Sequence, residues 1–239
     1  DGTPLFATLH LPAGGAAGRT ALVVCDSLFE EKYWCERVFA NLGRAAAAAG
    51  AATLLFDYAG YGNSAGEPID VDPASLVRDA ADACRFARDL GASRIVFLGI
   101  RWGAAVASAA AGVAGADALV LVQPIRDWSP ELMKALRANV AGQYAIFRKT
   151  VMTREQIIGE LAAGGACEHG GYHMNNVEGY LFSHRFVEGA REMTLPATTG
   201  TDIPVTIVRI PEKAGAPVRD DGLADAIRAG GATCEEIVI

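Results

Sequence analysis

Arg94-Ile95-Val96-Phe97-Leu98-Gly99-Ile100-Arg101-Trp102-Gly103-Ala104-Ala105-Val106 is the stretch whose reading decides the fold. Residues 94–98 are a short apolar run, suited to a strand buried on both faces. From 104 to about Gly112 the chain is Ala-rich and favours helix. Between the two, Gly99-Ile100-Arg101-Trp102-Gly103 must reverse direction sharply, and glycine at each end lets neighbouring backbone pass without collision. The pattern predicts strand, tight turn and helix, with the side chain of residue 101 displayed at the tip.

The same alternation extends outward. Leu5–Leu11 reads as an early strand, Pro12–Gly18 as a turn and Ala21–Cys25 as a buried strand. Trp34, Val38, Phe39, Leu42 and Ala46 recur at helical spacing and are expected to form a buried stripe ending at Gly50. Ala52–Phe56 is the next strand. It runs into Asp57-Tyr58-Ala59-Gly60-Tyr61-Gly62-Asn63-Ser64-Ala65-Gly66, whose glycines favour turns. Asp72 can cap a helix with Pro73 in its first position, Leu76, Val77, Ala80, Cys84, Phe86, Ala87 and Leu90 as its inner stripe, and Gly91 as its stop. Ala118–Val122 is another strand.

From Asp127 to about Pro196 the strand rhythm stops. Helices are expected from Ser129-Pro130-Glu131 (with Leu132, Leu136, Val140, Tyr144 and Phe147), over Thr153–Ala163 and over Asn175–Met193. Strands return at Val205–Ile210 and Thr233–Ile239, with a helix over Asp220–Ala229 between them. Strands alternating with helices predict an α/β protein: a doubly wound, mostly parallel sheet covered on both faces. We expect one domain over 1–239, with 127–196 as a helical cap inserted in it.

Composition excludes several classes. The chain has 239 residues, 51% of them hydrophobic, which rules out a mainly disordered protein. A net charge of −7 repels phosphate backbones and anionic lipid, so neither nucleic acid nor membrane is an expected partner. The longest apolar stretch, Trp102–Val122, is mostly Ala and Gly and is broken by Asp117, so it is not a membrane span. No basic-then-apolar leader opens the chain, although it begins on Asp1 rather than Met, which leaves an upstream segment open. The five cysteines, Cys25, Cys35, Cys84, Cys167 and Cys234, are odd in number with no C-x-x-C pair, so a reducing, cytoplasmic setting is expected. Cys167, His169 and His173 have side chains that suit zinc, but Gly170-Gly171 works against a helix that would align them. No metal and no cofactor are expected.

The 57–66 loop resembles the D-x-x-G-x-G-x-S-x-G loop of the α/β-hydrolase superfamily, 99–103 resembles its nucleophile elbow, and Asp1-Gly2-Thr3-Pro4-Leu5 resembles part of its first hairpin. Through strand order as well as motif, the resemblance covers nearly the whole chain. Phe29-Glu30-Glu31, Gly99-Ile100-Arg101 and Gly171-Tyr172-His173 further resemble the exosortase-A-system-associated hydrolase 2 family. That family comprises bacterial proteins associated with exopolysaccharide and protein-sorting gene clusters.

The superfamily resemblance implies a Ser-His-acid triad, and the sequence departs from it. The nucleophile position holds Arg101, whose guanidinium stays protonated and has no lone pair with which to attack a carbonyl. Glu212 matches the acid position after the strand at 205–210. No histidine follows it, since all four (His10, His169, His173 and His184) come earlier; one beyond Ile239 stays open. The resemblance places the Trp102 N–H as one oxyanion donor and the loop Cys25-Asp26-Ser27-Leu28-Phe29-Glu30-Glu31 as source of the second. That loop brings up to three carboxylates near Arg101, and a buried arginine requires such a partner.

Arg101 is therefore either a structural ion pair plugging a lost active site or an anion receptor at a helix N-terminus. Ser27 and Cys25 have no predictable base, and Ser64 reads as a turn former. Trp34, Trp102, Trp128, Tyr144, Phe147 and Tyr180 are core candidates, with Trp102 and Trp128 at the ligand-binding edge of the sheet. The expected ligand site is Arg101, Trp102, Asp26, Ser27, Leu28 and Trp128. Three functions follow: a catalytically degenerate binder of a small, anionic ligand or a protein partner; a hydrolase or acyltransferase with a non-standard nucleophile; or a structural subunit with the cap as interface.

Overall fold

In a computed structural model describing residues 2–196, 202–213, 216–218 and 220–239, the apolar runs are strands and the amphipathic segments between them helices. Asp1 of the hairpin resemblance lies outside the described residues. The chain runs β1 (Ala7–His10), β2 (Thr20–Cys25), α1 (Glu31–Ala48), β3 (Ala52–Phe56), α2 (Pro73–Asp89), β4 (Arg94–Ile100), α3 (Trp102–Ala114) and β5 (Ala118–Val122). It continues through α4 (Trp128–Phe147), α5 (Arg154–Ala162), the ribbon strands β6 (Glu168–His169), β7 (Tyr172–His173), β8 (Asn176–Val177) and β9 (Tyr180–Leu181), and α6 (His184–Glu192). β10 (Val205–Arg209), α7 (Leu223–Ala229) and β11 (Cys234–Val238) complete it.

Seven strands form one sheet in the order β1-β3-β2-β4-β5-β10-β11. β1 is antiparallel to β3, and the other pairs are parallel. The chain leaves β2 toward one edge and builds β4, β5 and β10 toward the other. The carboxyl ends of β2 and β4 are thus the switch point, where sheets of this kind bind ligands. Side chains alternate across the strands. Val23, Leu54, Phe97 and Leu121 enter the large core with α2 and α3. Val24 and Leu98 join Phe39 of α1 in a much smaller core on the opposite face.

Local signals account for the helix starts. Asp72 and Ser75 form a reciprocal capping box on α2, Thr153 and Gln156 do the same on α5, and Asp127 caps α4.

Four expectations are corrected. Helix is absent over Asn175–Leu181; β6–β7 and β8–β9 are two hairpins, and only His184–Glu192 is helical. The turn residues Gly170, Gly171, Glu178 and Gly179 all have positive φ, which suits a hairpin turn and not a helix. On α1 the inner face is rotated from the expected stripe: Trp34 and Val38 are 76% and 61% exposed, while Lys32, Phe39 and Gly43 are buried. The reason is polar: Lys32 turns inward to meet Asp57, and Gly43 makes room for the ring of His10. Phe86 and Tyr144 also lie exposed on outer faces of α2 and α4. The last helix begins at Leu223 rather than Asp220, after a left-handed Gly222.

Candidate functional site

The elbow is built as its glycines require. Arg101 sits at φ 51°, ψ −111°, a sparsely populated conformation that costs on the order of 1–3 kcal/mol. It is pinned on both sides: Arg101 N donates to Val122 O at 3.0 Å, and Arg101 O accepts from Ala104 N and Ile125 N, each at 3.2 Å. A Cβ on Gly99 would stand 2.6 Å from Ala104 Cα, and one on Gly103 would overlap the carbonyl oxygens of Cys25 and Asp26. The first turn of α3 is therefore pressed against the loop after β2, and the Trp102 N–H, first in that helix, has no intrahelical acceptor.

At the tip, the guanidinium is gripped by one carboxylate. Arg101 Nε and Nη2 donate to Glu31 Oε2 and Oε1 at 3.1 and 2.7 Å, and Glu131 Oε1 lies 3.8 Å away. Ser27 Oγ donates to Glu31 Oε2 at 2.6 Å. The Glu31 bond, opposed by partial burial, holds Arg101 above even its usual range. Of the acids expected in this loop, Glu31 is the one that pairs, because it opens α1 directly beneath the elbow.

Arg101 borders a cleft of about 800 Å³ between Gln123–Asp127, the start of α4 and the loop after β10. Glu212 lines the same cleft, exposed. Arg209 borders it too, buried between Asp221 (2.6 Å) and Glu236 (2.9 Å). Lys134 pairs with Glu131 at 2.7 Å. Arg126 differs from these cations: its hydrogen bonds go to backbone carbonyls, those of Leu195 and Asp221. Glu131, Arg126 and Lys134 were not foreseen from the sequence; the only signal was their position just after a strand at the carboxyl edge.

The other expected site residues lie elsewhere. Ser27, Leu28 and Trp128 are fully buried and Trp102 nearly so, and none of them lines the cleft. Trp102 packs edge-on to Phe29 (5.4 Å) and Trp128 (5.1 Å), Trp128 stacks near Phe186 (6.1 Å), and Tyr61 stacks on Tyr180 (4.8 Å). Aromatic rings thus fill the space between the elbow and the segment 127–196. Asp26 is buried beside the Lys32–Asp57 ion pair, and burial pushes its carboxyl up to about 7, with Lys32 opposing and Asp57 and Glu36 reinforcing.

Among the described residues, the cysteine and serine weighed as alternative nucleophiles, and the histidines that could activate them, are held in other contacts. Cys25 is wholly buried, which pushes its thiol far above the usual range. Ser64 Oγ donates to Asp57 O (2.6 Å) and accepts from Phe6 N (2.8 Å), a turn role. His10 lies over Gly43, His169 packs edge-on to Phe147, His173 meets Glu168 at 3.1 Å, and His184 opens α6. None of them lines the cleft. Cys167 Sγ donates to Ile157 O. Among the described residues, no three His, Cys, Asp or Glu side chains are placed to hold a metal ion.

The model of the Alpha/beta hydrolase family matches residues 14–229. The chain belongs to that family. No curated protein matches it. Among solved structures it is similar to Est1E from Butyrivibrio proteoclasticus with ferulic acid bound (TM-score 0.61, 18% identity, 100% of this chain and 86% of that one). It is also similar to a putative hydrolase from Agrobacterium vitis (0.62, 16%, 98% and 84%) and to an esterase from Exiguobacterium antarcticum (0.59, 15%, 100% and 87%). At these identities the likeness is one of fold. This alpha/beta hydrolase keeps the family's mostly parallel sheet and elbow turn, with arginine at the tip.

Proposed function

We propose that this alpha/beta hydrolase family member is a catalytically degenerate binding protein whose cleft beside Arg101 takes a small anionic ligand. One observation carries the reading: the elbow tip holds a guanidinium locked to Glu31, where a nucleophile would need a free lone pair and a base. Anion preference rests on Arg126, a cation at the cleft that, among the described residues, hydrogen-bonds to carbonyl dipoles. A bidentate guanidinium suits a carboxylate or phosphate group. Trp102, Ser27, Leu28 and Trp128 then shape the site from behind, by packing, rather than by touching the ligand. We take 127–196 as a cap within a single domain. Of the three segments that resemble the exosortase-A-system-associated hydrolase 2 family, two supply the lock and its aromatic backing (Glu31 and Arg101, with Phe29), and the third, Gly171-Tyr172-His173, borders a separate groove.

We further propose a cytoplasmic setting, which the odd number of cysteines and the lack of a C-x-x-C pair support. No helix among the described residues is long and apolar enough to cross a membrane.

The test is turnover of p-nitrophenyl acetate by the purified protein and by Arg101→Ala, alongside calorimetric titration with small carboxylates and phosphates. We expect no turnover above buffer and saturable anion binding weakened by Arg126→Gln. Robust turnover by the wild type overturns the reading. A second reading, the 127–196 segment as a protein interface, rests on exposed Tyr144, Ile146 and Tyr172, the last two bordering a groove of about 500 Å³. Association detected by light scattering and lost in Tyr144→Ser/Ile146→Ser supports it.

A further inference from the structure

A second pocket, of about 410 Å³, lies between α1 and the antiparallel edge of the sheet and shares no residue with the cleft. Its α1 wall is one row of side chains four residues apart, Lys32, Glu36, Ala40 and Arg44. Val24 and Leu55 form part of its floor, Phe39 flanks them, and Asp26 and Asp57 close its end at the carboxyl edge of the sheet. It exists because the core on this face is small, with only Val24, Phe39 and Leu98 fully assembled there.

Three features of this pocket ask for a ligand. Lys32 is 5% exposed and, among the described residues, its ammonium hydrogen-bonds to Asp57, so it compensates Asp26 only at longer range. Asp26, 6% exposed, accepts from the Ser27 N–H. With Asp57 it puts two carboxylates beside one ammonium, and Glu36 adds a third acid to the same wall. At the other end His10 lines the pocket, its Nε2 buried and without a hydrogen-bond partner among the described residues. The floor between the Ala7–Phe56 and His10–Thr53 pairs spans three residues, or roughly 10 Å.

We propose that this pocket is a second binding site, for a small molecule with a primary ammonium head and an extended apolar body. The head sits against Asp26 and the body runs over Val24, Phe39 and Leu55. Buried carboxylates in an apolar surround need a counter-charge. The ammonium supplies it, taking the place of the proton that burial otherwise favours on Asp26.

Isothermal titration at pH 8 with hexylamine and 2-phenylethylamine tests this, with 1-hexanol as the neutral isostere. Saturable binding of at least one amine is expected, at least tenfold tighter than 1-hexanol. Asp26→Asn is expected to weaken it at least tenfold. So is Ala40→Phe, which fills the pocket and leaves the charges in place. Circular dichroism confirms that both variants are folded. Binding also weakens several-fold from pH 8 to pH 6, as a proton competes for Asp26, which is faced by Lys32, Cys35 and Glu36 of α1 and by Asp57 and Tyr58 beyond β3. No saturable binding of either amine, or equal affinity for 1-hexanol or in Asp26→Asn, overturns the proposal.

Discussion

Asp26→Asn is expected to make this protein more stable, and increasingly so as pH rises. Burial raises the Asp26 carboxyl from 3.8 to about 7. Below pH 3.8 the group is protonated in both folded and unfolded chains, and its ionisation does not affect stability. Between those values the unfolded chain releases the proton while the folded one keeps it, so stability falls as pH rises. Above about 7 both states are ionised and the loss levels off. Each tenfold change in proton affinity is worth about 1.4 kcal/mol, which puts the plateau on the order of 4 kcal/mol. Asparagine keeps the shape and can accept from the Ser27 N–H, yet never ionises. Urea denaturation of the two proteins at pH 4.5, 6, 7 and 8 reads the difference. It should be under about 1 kcal/mol at the lowest pH and approach roughly 2–4 kcal/mol at the highest, allowing for relaxation around the charge. Using the difference cancels the titration of acids common to both proteins. A difference that does not grow with pH, or a variant less stable than wild type at pH 8, refutes the reasoning.

Asp57→Asn strips the carboxylate from Lys32, whose side chain is 7% exposed, and should destabilise by about 3–5 kcal/mol in the same denaturation assay. Glu31→Gln unlocks Arg101, but both side chains are about a third exposed or more, so solvent screening holds the loss to about 1 kcal/mol. Gly103→Ala drives a methyl into the Cys25 and Asp26 carbonyls and should lower stability by about 3 kcal/mol or more, visible as a large drop in Tm. Arg101→Ser restores a hydroxyl at the elbow; p-nitrophenyl acetate turnover should stay at the wild-type level, because no histidine lines the cleft.

Much of the sheet was legible because its strands are short and apolar: Ala52–Phe56 and Ala118–Val122 fall where the sequence bounds them. Helix ends with capping chemistry, such as Asp72-Pro73, were legible for the same local reason. What misled was periodicity that tertiary context overrode. Trp34 and Val38 have the spacing of an inner face, yet the pairing of Lys32 with Asp57, a residue outside the helix, fixes which way α1 turns. In Asn175–Leu181 the dipeptide Glu178-Gly179 enforces a hairpin turn that an apolar count does not register. At the site, Arg101 and its need for an acid were readable, and Glu31 answers it. Glu131 and Arg126 were not, since each reaches the cleft only once β5 and β10 have set their loops side by side.

The elbow turn is kept with an arginine at its tip, and its contacts explain why. A side chain at φ 51° is strained whether it is serine or arginine. The strain is held in place by three backbone hydrogen bonds to Val122, Ala104 and Ile125, and by Gly99 and Gly103, where any side chain would strike neighbouring backbone. Those contacts join β4, β5, α3 and the loop after β2, so relaxing residue 101 would pull apart the centre of the sheet. The turn is thus part of the fold's framework, and only the tip side chain is free to change. An arginine there would be an unpaired charge at a helix N-terminus, where the backbone favours anions. Glu31 resolves that conflict: placed at the start of α1, it supplies the negative charge the helix end favours and takes both arms of the guanidinium fork. Ser27 bonds the same carboxylate and fixes its orientation. Substituting the tip alone would therefore not by itself give a serine esterase, because the tip is organised around a carboxylate and no histidine lines the cleft beside it.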